Sequence, residues 1–445
     1  MAKRHRRAPF RSTHPRTKSQ RPQLGDNFGD DPGCSNFFSR DVGFQAAVLL
    51  DRNLRKAGNS TTPLGCFPMP KNQKMARRIV GGAVYVLCVF LFFEISARGF
   101  LAADFLFDAV VGAREDDSSE RLAWIKRHAA QGKFAKLYAF DTFDSIRGWA
   151  LTPNLRNMTV FGDRILNTNS KGLRGSLEFN YARHPRVKRV IALGDSFTFG
   201  ADVSDDETFT YTLARLLPDT EVLNLGVHGY GHDQMLLYLK QEGIKYQPDV
   251  VLLGFVWFDM YRNLRTFMSF AKPQYVLRGS NLRLENVPVP NPQTVLDREV
   301  YRSKALDLGV ILLSRLRAKL GLDRKKAETI TVALFDELVK VTRAIGAVPV
   351  FVYFPVLDEI ANRDPGMTPN ESFLHFYCER RQVSCLFLRD RFLQEQDMGA
   401  RYYTRGHWPA NIHAAAARLI GQYLQENNLL ERPQQAKGAI PETRQ

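Results

Sequence analysis

The sequence predicts a three-layer α/β/α sandwich built on a parallel sheet, preceded by a single N-terminal transmembrane helix. From about residue 188 onward, short apolar runs alternate with segments of helical spacing, a pattern typical of parallel strands covered by helices. Val250–Val256 is apolar almost throughout, as expected of a strand buried on both faces. Upstream, Ile79–Phe93 contains no charged residue, which favours a membrane-spanning segment.

Each element is predicted from its own pattern. Apolar runs predict strands at Val190–Leu193, Glu221–Leu225, Val250–Val256, Val348–Phe354 and Cys385–Leu388. Helical spacing of apolar residues predicts helices at Thr208–Leu217, Gln234–Gln241, Lys326–Ile345 and Ile412–Leu424. In parallel α/β sheets the site lies beyond the carboxyl ends of the strands. Ser196, Gly226 and Asp259 each follow a predicted strand, so we expect the site there.

The chain divides into five predicted parts. They are a disordered basic tail at 1–70, a membrane anchor at 76–107, an extension at 108–185 that packs on the domain, the α/β domain at 186–428, and a disordered tail at 429–445. An insertion at about 260–320 interrupts the alternation. We interpret it either as a lid that faces the substrate or as an inert surface excursion.

The positive charge is concentrated at the N-terminus. The chain has a net charge of +16, and residues 1–78 account for +11 of it. No nucleic-acid-binding pattern accompanies this charge, so nucleic acid is not a predicted partner. A second interpretation is that translation begins at Met69 or Met75, which would leave residues 1–68 outside the protein.

Four basic residues precede the apolar run, and after it Glu94 and Arg98 lie four positions apart. The positive flank predicts a cytoplasmic N-terminus and a C-terminal domain on the other side. Glu94 and Arg98 can pair on one helix face or lie at the outer interface. A buried core helix and a cleaved signal peptide are the alternatives to an anchor; a lipid bilayer is the partner that an anchor implies.

Two of the five cysteines, Cys378 and Cys385, would lie together outside the membrane. They are predicted either to form a disulfide, as extracytoplasmic cysteines do, or to be two buried thiols. No Cys/His spacing indicates a metal site, and no cofactor is predicted.

The most informative motif is Gly194-Asp-Ser-Phe-Thr-Phe-Gly200, which directly follows a predicted strand. A strand that delivers a serine onto a tight turn leaves its hydroxyl exposed, and a hydroxyl beside a base is a nucleophile. The tripeptide Gly-Asp-Ser alone is an ordinary turn sequence. The longer motif and its context favour Ser196 as a nucleophile.

Three segments resemble the conserved blocks of the SGNH (GDSL-like) hydrolases. The motif around Ser196 resembles block I, Val222–Gly231 resembles block II, and Gly406-His-Trp408 resembles block V. The resemblance implies a flavodoxin-like sandwich, Ser196 as nucleophile and His407 as base. It also implies that the N–H groups of Ser196 and Gly226 hold the oxyanion.

The resemblance extends to a bacterial membrane-anchored branch of that family, because Asn167–Gly175 resembles a segment that precedes block I there. It then covers residues 79–425 and implies a single-pass protein of the bacterial inner membrane with a periplasmic domain. The implied substrate is an ester, most plainly an acetyl group on an exported polysaccharide, and the implied partners are envelope polysaccharide machinery. Arg262, Arg265 and Arg405 would meet an acidic glycan or form a solvated basic rim.

Two positions depart from the family pattern. Phe258 stands where block III has an oxyanion-binding asparagine, and Arg405 lies where an acid precedes the block V histidine. Asn263 is a candidate substitute donor. Asp259 and Asp195 are candidate supporting residues, and Asp233 and Asp397 are further candidate acids. The sequence therefore leaves three possibilities: a working esterase or acyltransferase, a catalytically impaired glycan-binding protein, or a membrane-anchored scaffold.

Overall fold

The computed structural model describes residues 71–112, 116–131, 139–361, 366–394 and 406–431. The predicted tail at 1–70 and most of the predicted tail at 429–445 lie outside these residues. Leu429 and Leu430 are described, and they pack against the hydrophobic core.

The α-helices are numbered in chain order. They are α1 Lys71–Ala102, α2 Asp104–Val111, α3 Asp117–Gln131, α4 Ser196–Phe199, α5 Phe209–Leu216, α6 His232–Gln241, α7 Asp259–Arg262, α8 Pro292–Glu299, α9 Lys304–Lys319, α10 Arg324–Ala344, α11 Leu357–Ala361, α12 Pro369–Arg381, α13 Leu388–Gln394 and α14 Ala410–Glu426.

The strands form one sheet and three hairpins within the described residues. The hairpins pair β1 Asp141–Asp144 with β2 Gly148–Leu151, β3 Met158–Val160 with β4 Arg164–Leu166, and β8 Gln274–Arg278 with β9 Asn281–Glu285. The sheet contains β5 Lys188–Gly194, β6 Thr220–Gly226, β7 Val250–Phe255, β10 Val348–Tyr353 and β11 Ser384–Phe387. Its order is β11-β10-β7-β5-β6, and every pairing in it is parallel. The five predicted strands are confirmed.

Helices cover both faces of the sheet, which confirms the three-layer sandwich. Successive side chains of a strand point to opposite faces. Ile191 and Leu193 accordingly pack into a core that includes residues of α6, α10 and α12. Val190 and Ala192 belong to a second core with residues of α5 and α14. From β5 the chain goes first to β6 on one side and then to β7 on the other. The carboxyl end of β5 is therefore the switch point where sites form in such sheets.

Helix α1 is a candidate membrane span by length and composition. Within it, Met75–Ala102 has a mean hydropathy of 2.2 over its most apolar stretch, none of which is buried. The predicted pairing of Glu94 with Arg98 is confirmed, with 2.8 Å between the carboxylate and the guanidinium. Because the most apolar stretch of α1 is exposed, the alternative prediction of a buried core helix is wrong for this segment.

The two cysteines outside the candidate span are paired, because Cys378 of α12 and Cys385 of β11 form a disulfide.

The predicted insertion contains α7, the hairpin β8–β9, α8 and α9. Helix α9 packs against α3 and against α2, where Ile311 joins a core with Phe107 and Leu122. The start of α9 also contacts Glu94 of α1, whereas α7 carries Arg262, which contacts Asp195 beside Ser196.

Candidate active site

Ser196 is the first residue of the one-turn helix α4, directly after β5. The side chain of Asp195 accepts a hydrogen bond from the backbone N–H of Phe197 at 2.9 Å and so caps this helix. Gly200 ends it with a φ of 86°, in the left-handed region that glycine adopts without strain. The short capped turn fixes Ser196 at the edge of the sheet, and the residue is 7% exposed.

Glycines at three adjacent strand ends make room for this turn. A Cβ atom on Gly194 would lie 2.0 Å from Oγ1 of Thr198, and one on Gly226 would lie 2.2 Å from the backbone N of Phe199. A Cβ on Gly254 of β7 would also meet Thr198, at 2.5 Å. Any side chain at these positions would therefore displace the turn that carries Ser196.

His407 reaches Ser196 from the opposite end of the chain. Its Nε2 atom lies 3.0 Å from Oγ of Ser196. The neighbouring Trp408 is fully buried, and its indole N–H donates to the carbonyl of Pro355 at 3.1 Å. Trp408 thus anchors the segment that precedes α14 and leaves the His407 ring beside the serine.

Asp202 occupies the position of the acid that orients the histidine. Its Oδ2 atom lies 3.3 Å from Nδ1 of His407. The ring therefore contacts Ser196 through one nitrogen and a carboxylate through the other. This arrangement requires the neutral tautomer with its proton on Nδ1, so that Nδ1–H donates to Asp202 and Nε2 accepts from the serine hydroxyl.

Sequence reasoning missed Asp202, because the search for an acid was directed at the residues just before His407. Asp202 instead follows the nucleophile by six positions, with a φ of 67°. A non-glycine residue in the left-handed region is uncommon, although Asp adopts it more readily than most residues. The only signal in the sequence was an aspartate in the loop directly after the Gly-Asp-Ser motif.

Arg174, from the extension, holds the loop that carries Asp202. Its guanidinium donates to the carbonyls of Phe199 at 2.7 Å and of Val203 at 2.6 Å, and it pairs with Asp205 at 3.0 Å. It also donates to the carbonyl of Gly200. The fixed fork geometry of arginine suits such multiple contacts. The segment Asn167–Gly175, noticed in the sequence as a resemblance, therefore braces the site.

The extension also contacts the segment after β6. The indole N–H of Trp149 donates to the carbonyl of His228 at 3.0 Å, and the hydroxyl of Tyr230 donates to the carbonyl of Trp149. His228 in turn lies 2.6 Å from Asp141. These contacts join residues 141–149 of the extension to the segment after β6.

A cluster of three charged residues, Asp195, Asp259 and Arg262, lies next to Ser196. Nη1 of Arg262 is 3.1 Å from Oδ2 of Asp195, and that same oxygen is 3.4 Å from Oγ of Ser196. Arg262 also pairs with Asp259 and stacks over the ring of Phe258. Burial, and then the Asp195 carboxylate, raise the pKa of Asp259 well above its usual range against the opposing effect of Arg262.

Several predicted supporting residues have other partners. The N–H of Gly226 donates to Oδ1 of Asn224 at 2.9 Å, so in this conformation it is not available to an oxyanion. The amide of Asn263 donates to Thr331 at 2.9 Å and contacts Nδ1 of His232 at 3.1 Å. Because Asn263 is buried in these contacts, it does not replace the missing block III donor.

Two of the other candidate acids have other partners. Asp233 forms a fully buried ion pair with Lys272, and Asp259 is paired with Arg262. Asp397 and Arg405 lie outside the described residues. Arg262 pairs with the buried carboxylates of Asp195 and Asp259, so the prediction that it forms part of a solvated basic rim is wrong.

Phe258 begins helix α7 as its N-terminal flanking residue. Its ring lies 6.3 Å from that of Phe197, which itself lies 5.3 Å from the ring of His407. Phe258 therefore belongs to the aromatic surroundings of the site, and its side chain offers no hydrogen bond. Two backbone N–H groups were predicted to hold the oxyanion, those of Ser196 and Gly226. Of these two, only the N–H of Ser196, at the start of α4, has no hydrogen-bond partner among the described residues.

No protein-family model matches the chain, and no curated protein matches it. Solved structures of similar fold include a member of the lipolytic protein G-D-S-L family from Veillonella parvula, with 11% identity over 54% of this chain and 97% of that one and a TM-score of 0.31. The esterase EstA from a Pseudoalteromonas species has 14% identity over 54% and 98%, with a TM-score of 0.32. An acetyl xylan esterase has 13% identity over 52% and 97%, with a TM-score of 0.33. In each case the matched region covers about half of this chain and nearly all of the other.

Proposed function

We propose that this chain is a membrane-anchored serine esterase or acyltransferase of SGNH type, with Ser196, His407 and Asp202 as its catalytic residues. The observation that carries the proposal is the line of contacts from Ser196 Oγ through both nitrogens of His407 to Asp202, at 3.0 and 3.3 Å. Serine, neutral histidine and carboxylate in this order define the acyl-transfer triad by geometry.

In the proposed first step, Oγ of Ser196 attacks an ester carbonyl while its proton passes to Nε2 of His407. Asp202 stabilises the imidazolium that forms, and the oxyanion is held by the N–H of Ser196. The tetrahedral intermediate then expels the alcohol, which takes the proton from His407, and leaves an acyl-Ser196 ester. Water or a second hydroxyl, deprotonated by His407, releases the acyl group and restores the serine.

The proposed substrate is an acetyl ester on a glycan outside the cytoplasm. The candidate span at Met75–Ala102 supports anchoring in the bacterial inner membrane. The disulfide between Cys378 and Cys385 supports a periplasmic domain, because disulfides persist in oxidising compartments. Machinery that assembles envelope polysaccharides is the proposed partner, since it would present such a glycan at this surface.

One observation favours a second function, a glycan-binding or scaffold protein without turnover. Phe258 lacks the donor that an oxyanion site of this type uses, and loss of one such donor costs about 10²–10³ in rate. The second function predicts that the Ser196 site binds acetylated glycan without cleaving it.

The full chain in detergent, assayed with p-nitrophenyl acetate, tests the two functions. We expect hydrolysis that is abolished by Ser196→Ala and unchanged by Ser176→Ala, a matched change at an exposed serine. A fluorophosphonate probe should label the wild-type chain and not the Ser196→Ala variant. Absence of both hydrolysis and labelling would exclude the esterase and leave the binding function. Adding an unacetylated oligosaccharide then distinguishes transfer from hydrolysis by whether it becomes acetylated.

A further inference from the structure

Helix α9, Lys304–Lys319, has its apolar side turned away from the protein. Asp307 and Ile311 face inward and are buried. With 3.6 residues per turn, the opposite side covers about 160° of the helix circumference. It consists mainly of large exposed apolar side chains. Together with Leu320, directly after the helix, we call them the outer face of α9: Leu306, Val310, Leu312, Leu313 and Leu316.

This arrangement is the reverse of that in a helix on a water-exposed surface, where polar residues face outward. The exposed fractions of the six side chains range from 46% to 66%. Contiguous apolar surface of this kind marks a site of contact with a protein or a membrane. The outer face of α9 therefore has an occupant of its own.

The position of α9 identifies that occupant, because α9 begins against the candidate membrane span. The carboxylate of Glu94 accepts hydrogen bonds from the hydroxyl of Ser303 at 2.7 Å and from the N–H groups of Lys304 and Ala305, both at 3.1 Å. A carboxylate at these first N–H groups is also stabilised by the positive end of the helix dipole. The start of α9 is thus fixed to residue 94 of α1.

Glu94 is the first charged residue after the uncharged part of α1, Ile79–Phe93. At 1.5 Å per residue that part is about 22 Å long, most of the roughly 30 Å thickness of a bilayer core. Glu94 and Arg98 come next, and Arg98 contacts the carbonyl of Arg302 just before α9. The outer face of α9 therefore begins at the level of the membrane surface.

The charge on α9 fits a lipid surface with anionic headgroups. Its only acidic residue, Asp307, faces inward and pairs with Arg121. Three basic residues lie in its C-terminal half: Arg315 donates to the carbonyls of Ala109 and Val110, Arg317 pairs with Asp323, and Lys319 is exposed. A helix with a broad apolar face and nearby basic residues is typical of segments that lie in the membrane interface, where cations are attracted to anionic lipid.

We propose that the outer face of α9 docks into the headgroup region of the bilayer that α1 spans. The inference rests on the membrane anchoring in the proposed function and is independent of the chemistry at Ser196. The domain is then attached at two points, through α1 and through α9, and it does not tumble freely on its tether.

The test uses the full chain with Cys34, Cys66 and Cys88 changed to serine and the Cys378–Cys385 disulfide left intact. The Leu313→Cys variant is labelled with an environment-sensitive fluorophore and reconstituted in vesicles of phosphatidylcholine and phosphatidylglycerol. Lipids with a quencher near the headgroup are included. We expect most of the fluorescence to be lost and little further quenching by aqueous iodide.

Two matched variants make each outcome decisive. Leu177→Cys labels another side chain, 64% exposed, in the extension, and it should be quenched by iodide and not by lipid. Phe92→Cys labels α1 and should be quenched by lipid. Lipid quenching at 92 without lipid quenching at 313 would overturn the docking and leave the anchor intact. In that case, shielding of 313 from iodide would identify a protein, such as a second copy of this chain, as the occupant. No lipid quenching at 92 would overturn the anchor and the docking together, whereas the Ser196 assay would be unaffected.

Discussion

The carboxylate of Asp202 lies 3.3 Å from Nδ1 of His407, although the two residues are 205 positions apart in the chain. The acid follows the nucleophile in sequence, and the histidine comes from the far end of the domain. In the proposed mechanism, an acid supplied by the loop after Ser196 makes an aspartate just before His407 unnecessary. The proposal thereby accounts for one of the two departures seen in the sequence.

We expect Asp202→Asn to lower kcat for p-nitrophenyl acetate by about 10²–10⁴, because the amide favours the wrong histidine tautomer and cannot stabilise the imidazolium. Asp206→Asn, an exposed neighbour in the same loop, is the matched control and should retain wild-type kcat. Equal kcat values for wild type and Asp202→Asn would remove Asp202 from the mechanism.

We expect Arg174→Lys to lower kcat with little change in KM, since lysine keeps the charge and loses the fork that holds the loop of Asp202. Arg174 is a positioning residue, so its effect should depend on the acid that it positions. In the Asp202→Asn background the same change should lower kcat much less. Additive losses in the double variant would mean that Arg174 acts only on general stability. Thermal unfolding of each variant shows whether the fold persists.

Phe258→Asn should raise kcat by about tenfold or more, because the amide supplies the hydrogen-bond donor that the Phe258 side chain lacks. Phe258→Leu is the control, since it removes the ring without adding a donor. If Asn and Leu give the same kcat, residue 258 does not face the oxyanion.

His413 provides a prediction about pH and stability. Burial, with smaller contributions from Arg174 and His407, lowers the pKa of His413 from 6.5 to about 3. The unfolded chain therefore binds a proton between these pH values that the folded chain does not bind. The free energy of unfolding falls as pH decreases from about 6.5 toward 3, by about 1.4 kcal/mol per pH unit for this group.

His413→Asn removes the titrating group and keeps an acceptor for the N–H of Phe209, which His413 binds at 3.2 Å. We expect denaturant unfolding to show a shallower loss of stability with acid in this variant than in wild type. His232, whose pKa burial also lowers to about 3, remains in both and contributes to the residual slope together with the carboxylates. Identical slopes would contradict a neutral buried His413.

The sequence predicted the features that depend on local patterns. The apolar runs located all five strands of the sheet, and the motifs around Ser196 and His407 named two residues that the fold brings to 3.0 Å. Whether a given polar group is already used depends on contacts that no local pattern records. Gly226 was predicted to donate to the oxyanion, but its N–H donates to Asn224. Asn263 was predicted as a substitute donor, but its amide is buried and donates to Thr331. Asp202 required the path of a loop held by Arg174, a residue that comes 28 positions earlier in the chain.

The contacts of Arg174 also bear on where this protein can be shortened. A fragment that begins at residue 186, where the motifs place the start of the α/β domain, would contain Ser196, Asp202 and His407. It would lack Arg174, which donates hydrogen bonds to carbonyls on either side of Asp202. It would also lack Trp149, which binds the segment after β6. The segment that precedes the domain is therefore part of the folded unit that carries the candidate site, and an inactive fragment of that length would give no information about the full chain.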